Sequence, residues 1–373
     1  MTSAQATLTL AHSRGLGPRR IKLLVAHFGS AEAVLAAPER ELAALEGFGP
    51  GVLAGLAAAR RSAWPAEELR RAAQLGVKLL ALEDAAYPAP LSAIYDPPPV
   101  LYLRGELSAL EPQPRSVAVV GTRDASAYGL RFAETLGAGL AAAGVLVVSG
   151  LALGVDASAH AGALASGGAG RTAAVLGSGV DVLYPPQNAA LARRIAEGGG
   201  ALLSEQPLGS GPRPGNFPAR NRIVSGLSRA VAVIEAGAKS GALITADLAL
   251  EEGRTVFAAP GRAGDPRAAG ALELLRQGAT LLTDTADILS EFGWQAQARA
   301  GAQPSRSAPN RPELPPEQRE LLEHIGRLGA PLLDDLQALT GASASELLGR
   351  LTLLELAGLV AAQADGRYTR LEG

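Results

Sequence analysis

Cysteine is absent from the 373-residue chain, which excludes a disulfide framework and thiolate metal sites. Aromatic residues make up only 4% of it, so an aromatic side chain beside a cluster of cations stands out. No basic-then-apolar leader opens MTSAQATLTLAHSR, and secretion has no support there. The apolar stretch that starts at Val145 is interrupted by Asp156 and His160, so it belongs to a core and not to a membrane span. A cytoplasmic protein without membrane contact is expected.

Two nucleotide fingerprints are also missing. The spacing G-x-x-x-x-G-K-[ST] is met nowhere, which leaves ATP hydrolysis without visible machinery. GTRDAS puts Arg123 where a dinucleotide fold needs open backbone, and no acidic ribose ligand closes the next strand, so NAD is not expected. Among 4 histidines, His160 follows SGLALGVD with no ligand partner near it, and a helix-packing role fits better than metal binding. No cofactor, metal or catalytic residue is expected.

What is present is 47% apolar residues, ample for two or three domains at this length. The formal charge of -2 hides a gradient. Residues 1–75 carry 9 Lys+Arg against 6 Asp+Glu, residues 76–312 carry 20 of each, and residues 313–373 carry 5 against 10. Partners respond to such local fields. AGAQPSRSAPNRPELPP, residues 300–316, lacks apolar periodicity and reads as a linker. The expected organisation is a helical unit at 1–75, an α/β unit at 76–298, a linker at 299–312 and a C-terminal unit at 313–373.

RGLGPRRIKLL at Arg14–Leu24 and EGFGPGVLAGL at Glu46–Leu56 share Gly-x-Gly-Pro followed by an apolar helical run. Glycines permit the tight turn and proline suits the first helical turn, leaving backbone N–H groups free for an anion. The pair resembles a tandem helix-hairpin-helix module, in which Arg14, Arg19, Arg20 and Lys22 would give the first copy a weak grip on duplex DNA. A small bundle whose hairpins pack only on each other fits equally well.

From Ser116, the runs SVAVVG, VLVVSG, TAAVLG, ALLSEQ, AVAVIEA and TVFAAPG alternate with helical stretches, predicting a doubly wound, mostly parallel α/β sheet of Rossmann-like type. Ligands meet such sheets at the carboxyl ends of the strands. Glycine-rich loops stand there: GTR at Gly121–Arg123, SGLALGVD at Ser149–Asp156, GSG at Gly177–Gly179 and EAGAKSGALITA at Glu235–Ala246. Their backbones can approach phosphates closely. FPARNRIVSGLSR predicts a helix started by Pro218, with Ile223, Val224 and Leu227 on one face and Arg220 and Arg222 projecting elsewhere. Phe217 would stack on a base while arginine contacts phosphate; the alternative is a hydrophobic staple with internally paired arginines.

The ordered motifs VAVVGTRDASAYG, VVSGLALGVDASAHAGAL, TAAVLGSGVDVLYPPQN, LLSEQPLG, FPARNRIVSGLS, VIEAGAKSGALITADLALEEGR and VFAAPG resemble the DNA processing protein A family, DprA or Smf, over Leu79–Phe292. The resemblance implies an extended Rossmann-like domain that binds and protects single-stranded DNA, dimerises, and loads the RecA recombinase in natural transformation of competent cells. Carried over, the single-strand site comprises Gly121, Thr122, Arg123, Gly177, Ser178, Gly179, Phe217, Arg220, Asn221, Arg222, Lys239, Ser240 and Gly241. Arg123, Arg220 and Lys239 would hold phosphates, Phe217 would lie near a base, and Asn221 would orient the loop. The chain departs from the family pattern in AAGALELLRQGA, where Leu272 takes the place of an asparagine.

The C-terminal PEQRELLEHIG, LLDDLQALTG and SASELLGRLTLLELAGL predict three helices followed by a hairpin turning at Asp365-Gly366. This resembles a winged helix. Its third helix carries Glu346, Arg350 and Glu355 instead of a row of cations, which fits a protein-binding or autoinhibitory role better than duplex reading. Two other readings of the whole chain compete: a phosphoribohydrolase-like enzyme using Glu205 or Glu235 at a strand end, and a scaffold whose Arg123 and Arg220 are silent in binding.

Overall fold

A computed structural model describes residues 2–110, 115–166, 172–294, 315–329, 331–356, 359–363 and 367–370. The expected linker at 299–312 and the Asp365-Gly366 turn lie outside the described residues. The chain divides into two compact units, 1–297 and 298–373.

The first unit opens with the helices Ser3–His12, Pro18–Phe28, Ala31–Ala36, Glu39–Ala43 and Pro50–Arg60, gathered around Leu10, Ile21, Leu24, Val34, Leu42 and Leu56, and a sixth helix, Trp64–Gln74, packs through Ala72 with Leu8, Val100 and Tyr102. The sequence repeat is also a backbone repeat. Gly15 and Gly47 both take positive φ, 88° and 83°, a region glycine enters without steric cost. Gly17 and Gly49 then cap helices that begin with proline. The cations of the first copy are largely engaged within the protein. Lys22 Nζ donates to the carbonyls of Ser92 and Ile94 at 3.0 Å each. Arg20 donates to the Gly15 carbonyl at 2.9 Å, and the Arg19 guanidinium lies 4.7 Å from the centre of the Tyr95 ring.

Among the described residues the sheet has nine strands: β1 (Lys78–Ala81), β2 (Val100–Gly105), β3 (Ser116–Gly121), β4 (Leu146–Ser149), β5 (Thr172–Val175), β6 (Ala201–Ser204), β7 (Ala230–Ile234), β8 (Thr255–Ala258) and β9 (Thr280–Leu281). Their order is β1-β2-β6-β5-β4-β3-β7-β8-β9. Strands β6 through β9 in that order pair in parallel. The antiparallel pair β1-β2 adds through β2, again antiparallel, to β6, closing one edge with strands not singled out in the sequence. The fold is thus an extended Rossmann-like α/β sheet. Alternation in β3 sends Val117 and Val119 to the core under the helices Ala127–Ala142 and Val155–Ala165, and Ala118 and Val120 to the core under Asn216–Gly226 and Gly241–Glu251. Both faces are covered, which is why the central strands read as unbroken apolar runs.

In the second unit the helices Pro316–Leu328, Leu333–Thr340 and Ala344–Leu356 precede the antiparallel strands β10 (Val360–Ala362) and β11 (Tyr368–Arg370). Leu321, Ile325, Leu336, Leu347, Leu351 and Leu354 form its core. This is a winged-helix arrangement. On the third helix Arg350 is paired with Glu317 at 2.6 Å, while Leu348 and Leu353 face solvent.

Candidate nucleic-acid cleft

The direction of winding reverses between β3 and β7, and the loops beyond their carboxyl ends separate to leave a crevice. The crevice is an open cleft of about 800 Å³ lined by the loop after β3, by Asp156 and Tyr184, by the start of the helix Asn216–Gly226 and by the turn into the helix Gly241–Glu251. The two sides are stitched by the Thr122 N–H, which donates to the Glu235 carbonyl at 2.7 Å. A Cβ on Gly121 would lie 1.9 Å from the Ile234 carbonyl oxygen, so only glycine lets β3 and β7 close at this point. Glu235 holds φ at 46°, a costly conformation for a residue with a side chain. Its carboxylate accepts from the Ser126 N–H at 2.8 Å and from the Ser126 hydroxyl, and these bonds secure it.

Of the residues expected from sequence, Gly121, Thr122, Arg123, Phe217, Arg220, Asn221, Lys239, Ser240 and Gly241 all line this cleft. Arg123 and Lys239 are exposed. The Arg123 guanidinium stands 5.9 Å from the centre of the Phe217 ring, a cation–π geometry. Gly177 lines a smaller recess of the same cleft with Arg123, Tyr184, Phe217 and Arg220. A Cβ there would approach the Phe217 ring to 3.0 Å, so this glycine makes room for the aromatic. Nothing crowds Gly241, which opens the first turn of its helix to the cleft; the Ser240 hydroxyl caps that helix by accepting from the Ala242 N–H at 3.3 Å. Asn221 donates to the Gly241 carbonyl at 3.3 Å.

Three expected residues lie elsewhere. The Ser178 hydroxyl donates to the Val182 carbonyl at 2.7 Å, and the Gly179 N–H donates to the Ser210 carbonyl at 2.9 Å; both hold the turn after β5. Arg222 is buried and turned away. It forms a fork with Glu205, at 2.9 and 2.5 Å, and reaches the Asp96 carboxylate at 3.0 Å. Burial opposes its charge, yet Glu205 and Asp96 hold the guanidinium above its ordinary value. The helix Asn216–Gly226 is packed on more than its apolar face, so Arg220 and Arg222, which lie off that face, are buried as well, at 6% and 8% exposure, and Arg222 is internally paired, as the alternative reading expects.

Arg220 forms the floor. Its guanidinium donates to the Gly150 carbonyl at 2.6 Å and to the Val175 carbonyl, and its Nε has no partner among the described residues. Burial lowers its pKa, Asp156 offsets part of that, and Arg123 adds to it. Asp156 in turn is raised by burial against the pull of Arg220 and of the Gly150 and Ala152 N–H groups, which it accepts at 3.0 and 3.3 Å. Sequence reasoning missed Tyr184, which is 40% exposed and sits 5.7 Å from Phe217, ring centre to ring centre, tilted by 45°. Its signal was an aromatic beside Pro185 and Pro186 in a chain with 6 tyrosines. Among the described residues no group of acidic and histidine side chains is placed to hold a metal, and no helix is long and apolar enough to cross a membrane.

The family model described as DNA recombination-mediator protein A matches residues 78–293. The chain belongs to the DNA processing protein A (DprA/Smf) family. A second model, the DprA winged helix domain, matches residues 305–366. Protein Smf of Synechocystis is 36% identical, with 99% of this chain and all of that protein aligned; Protein Smf of Escherichia coli is 41% identical over 79% of this chain and 77% of its own length. The X-ray structure of DprA from Streptococcus pneumoniae superposes with a TM-score of 0.68 at 34% identity, covering 78% of this chain and 98% of that one. DprA of Helicobacter pylori, whose structure is described as revealing a unique single-stranded DNA binding mode, superposes with a TM-score of 0.52 at 33% identity over 58% and 95% of the two chains.

Proposed function

We propose that this DprA/Smf protein is a non-catalytic single-stranded DNA binder that takes the strand into the cleft between β3 and β7. One observation carries the reading: two exposed cations, Arg123 and Lys239, meet the Phe217 and Tyr184 rings in one open cleft. Arg123 and Lys239 take phosphates, the rings stack on bases, and the first turn of the helix after Ser240 offers N–H groups to a further phosphate. Arg220, buried and held to Gly150 and Val175, fixes the floor and lends positive potential. The H. pylori relative, described as binding single-stranded DNA, supports this assignment.

The site residues, the homodimer made through the Rossmann-like unit, the four-part domain organisation, the cytoplasmic setting and delivery of the strand to RecA during transformation complete the reading. The phosphoribohydrolase alternative is disfavoured because Glu205 is committed to Arg222 and Glu235 to Ser126, which leaves neither carboxylate free to act on a substrate.

Fluorescence anisotropy of labelled oligothymidine against salt tests the proposal. The protein should prefer the single strand to duplex of equal length, with a log–log slope near -0.7 for each neutralised phosphate. Arg123→Ala should lose affinity and about one such increment of slope. Equal behaviour of variant and parent would remove Arg123 from the site.

A further inference from the structure

The segment from Pro88 to Pro99 crosses between the N-terminal helices and the cleft, and cations hold it from several directions. Lys22, on the helix of the first Gly-x-Gly-Pro repeat, donates to the Ser92 and Ile94 carbonyls at 3.0 Å each. Arg222, on the helix that carries Phe217 and Arg220, donates through Nε to the Asp96 carbonyl at 3.0 Å and pairs with the Asp96 carboxylate. Arg254 donates to the Pro90 carbonyl at 3.3 Å and to that of Ser228, just past the same helix. The Tyr87 hydroxyl donates to the Pro98 carbonyl at 2.8 Å.

The contact with the cleft helix is close. Leu91 and Ile94 are buried with Ile223, Val224 and Leu227. A Cβ on Gly226 would come within 2.7 Å of Leu91 and 3.1 Å of Ile94, so the helix rests directly on the strap. The other end of that helix is its first turn, where Phe217 faces Arg123 and Tyr184. A close-packed interior transmits a shift at one contact to the next, and an eleven-residue helix moves as a rigid rod. Lys22 itself is absent from the lining of the cleft.

We infer that Lys22 and Arg222 are positioning residues of the single-strand site: through the Pro88–Pro99 strap they set the helix that presents Phe217, so the N-terminal helices tune base stacking without touching the bound strand. This rests on the proposed use of the cleft for single-stranded DNA. Of the three cations that hold the strap, Lys22 and Arg222 are thereby engaged away from the DNA contacts that their positions in the sequence suggest.

The test separates stacking from phosphate binding. Anisotropy is measured on the full chain with oligothymidine and with an abasic oligomer of the same length, each across a salt series. Lys22→Met should weaken oligothymidine binding about three- to tenfold while leaving the salt slope and the affinity for the abasic strand unchanged. Lys22→Arg, which can still donate to both carbonyls, should restore the parent value. Arg222→Lys keeps the charge but loses the fork and should behave as Lys22→Met does; if it fails to fold, the Lys22 pair decides alone. A reduced slope for Lys22→Met would mean that Lys22 contacts phosphate directly, and equal losses on both strands would mean general unfolding; either overturns the inference, as does a variant equal to the parent on both. Arg123→Ala in the same series keeps the underlying reading separate. If Arg123→Ala is silent, the cleft assignment fails; if it loses affinity and Lys22→Met does not, only the coupling fails.

Discussion

At the scale of residues, the histidine beneath the cleft has a fixed tautomer. The Thr172 hydroxyl donates to the Val147 carbonyl at 2.8 Å, so at its 2.7 Å contact with His160 Nδ1 it accepts and the imidazole donates. Nε2 is buried with no partner among the described residues, and protonating it would add an unpaired donor beside Arg220. Burial first, and Arg220 second, lower the pKa to about 3. The unfolded chain titrates this group near 6.5 and therefore binds more protons below that pH. Its contribution to stability is complete above about pH 6.5 and is lost as pH falls toward 3, at up to about 1.4 kcal/mol per pH unit. Asp156, raised by burial, works in the opposite sense as it protonates. The comparison with His160→Gln isolates the histidine: urea unfolding between about pH 6 and 4 should show a shallower loss of stability for the variant. Equal slopes would place the His160 proton elsewhere.

Residue-scale reading of the sequence succeeded where a motif fixed the backbone and failed where a partner lay far along the chain. Arg123, Phe217, Lys239 and Gly241 each sit in or beside a strand-end loop, so their place at the cleft follows from topology. Arg222 has an equal claim from composition, but its direction is set by Glu205 and by Asp96, the latter 126 residues away. Helical periodicity names the apolar face; it does not say which neighbours cover the rest. Lys22 is diverted for the same reason, since the Ser92 and Ile94 carbonyls to which it donates come from the strap.

At the scale of elements, the helices Ala127–Ala142 and Val155–Ala165 are brought together by glycines. A Cβ on Gly137 would stand 2.2 Å from the Ala159 carbonyl oxygen, and one on Gly162 would stand 1.9 Å from that of Glu134. Both obstacles are backbone, which cannot swing aside. Gly137→Ala should therefore cost about 1–3 kcal/mol through overpacking, seen as a lower urea midpoint with an unchanged m-value. A neutral variant would mean that the helix pair slides freely. Helices and central strands were legible because burial on both faces leaves continuous apolar runs between helical stretches. The antiparallel β1-β2 pair is hard to read from sequence because KLLA is short and VLYLRG follows a proline-rich stretch in which the one intervening helix, Ala89–Ser92, has only a single turn. Its antiparallel pairing with β6 comes from tertiary contact, beyond local pattern.

At the scale of the whole molecule, charge is distributed unevenly between the units. Residues 313–373 carry 10 acidic side chains against 5 basic ones, and the third helix of the winged-helix unit exposes Leu348 and Leu353 where a reader of duplex DNA presents cations. Its Arg350 is engaged by Glu317. Removal of residues 313–373 should leave oligothymidine affinity within a few fold of the full chain, measured by the same anisotropy titration. A large loss would make this unit part of the single-strand site.

The strand order also sets a clock. Ser126 and Glu235 bind each other across the cleft although 109 residues separate them in the chain, and Lys239 follows later still. A ribosome adding about 5–20 residues per second needs roughly 5–20 s to travel that distance. During that interval the GTR loop is already made, yet the opposite wall of the cleft does not exist. A nascent chain therefore completes the cleft only after most of the sheet has been synthesised, and a product truncated before β7 keeps Arg123, Tyr184 and Phe217 but lacks the wall that carries Lys239 and Gly241.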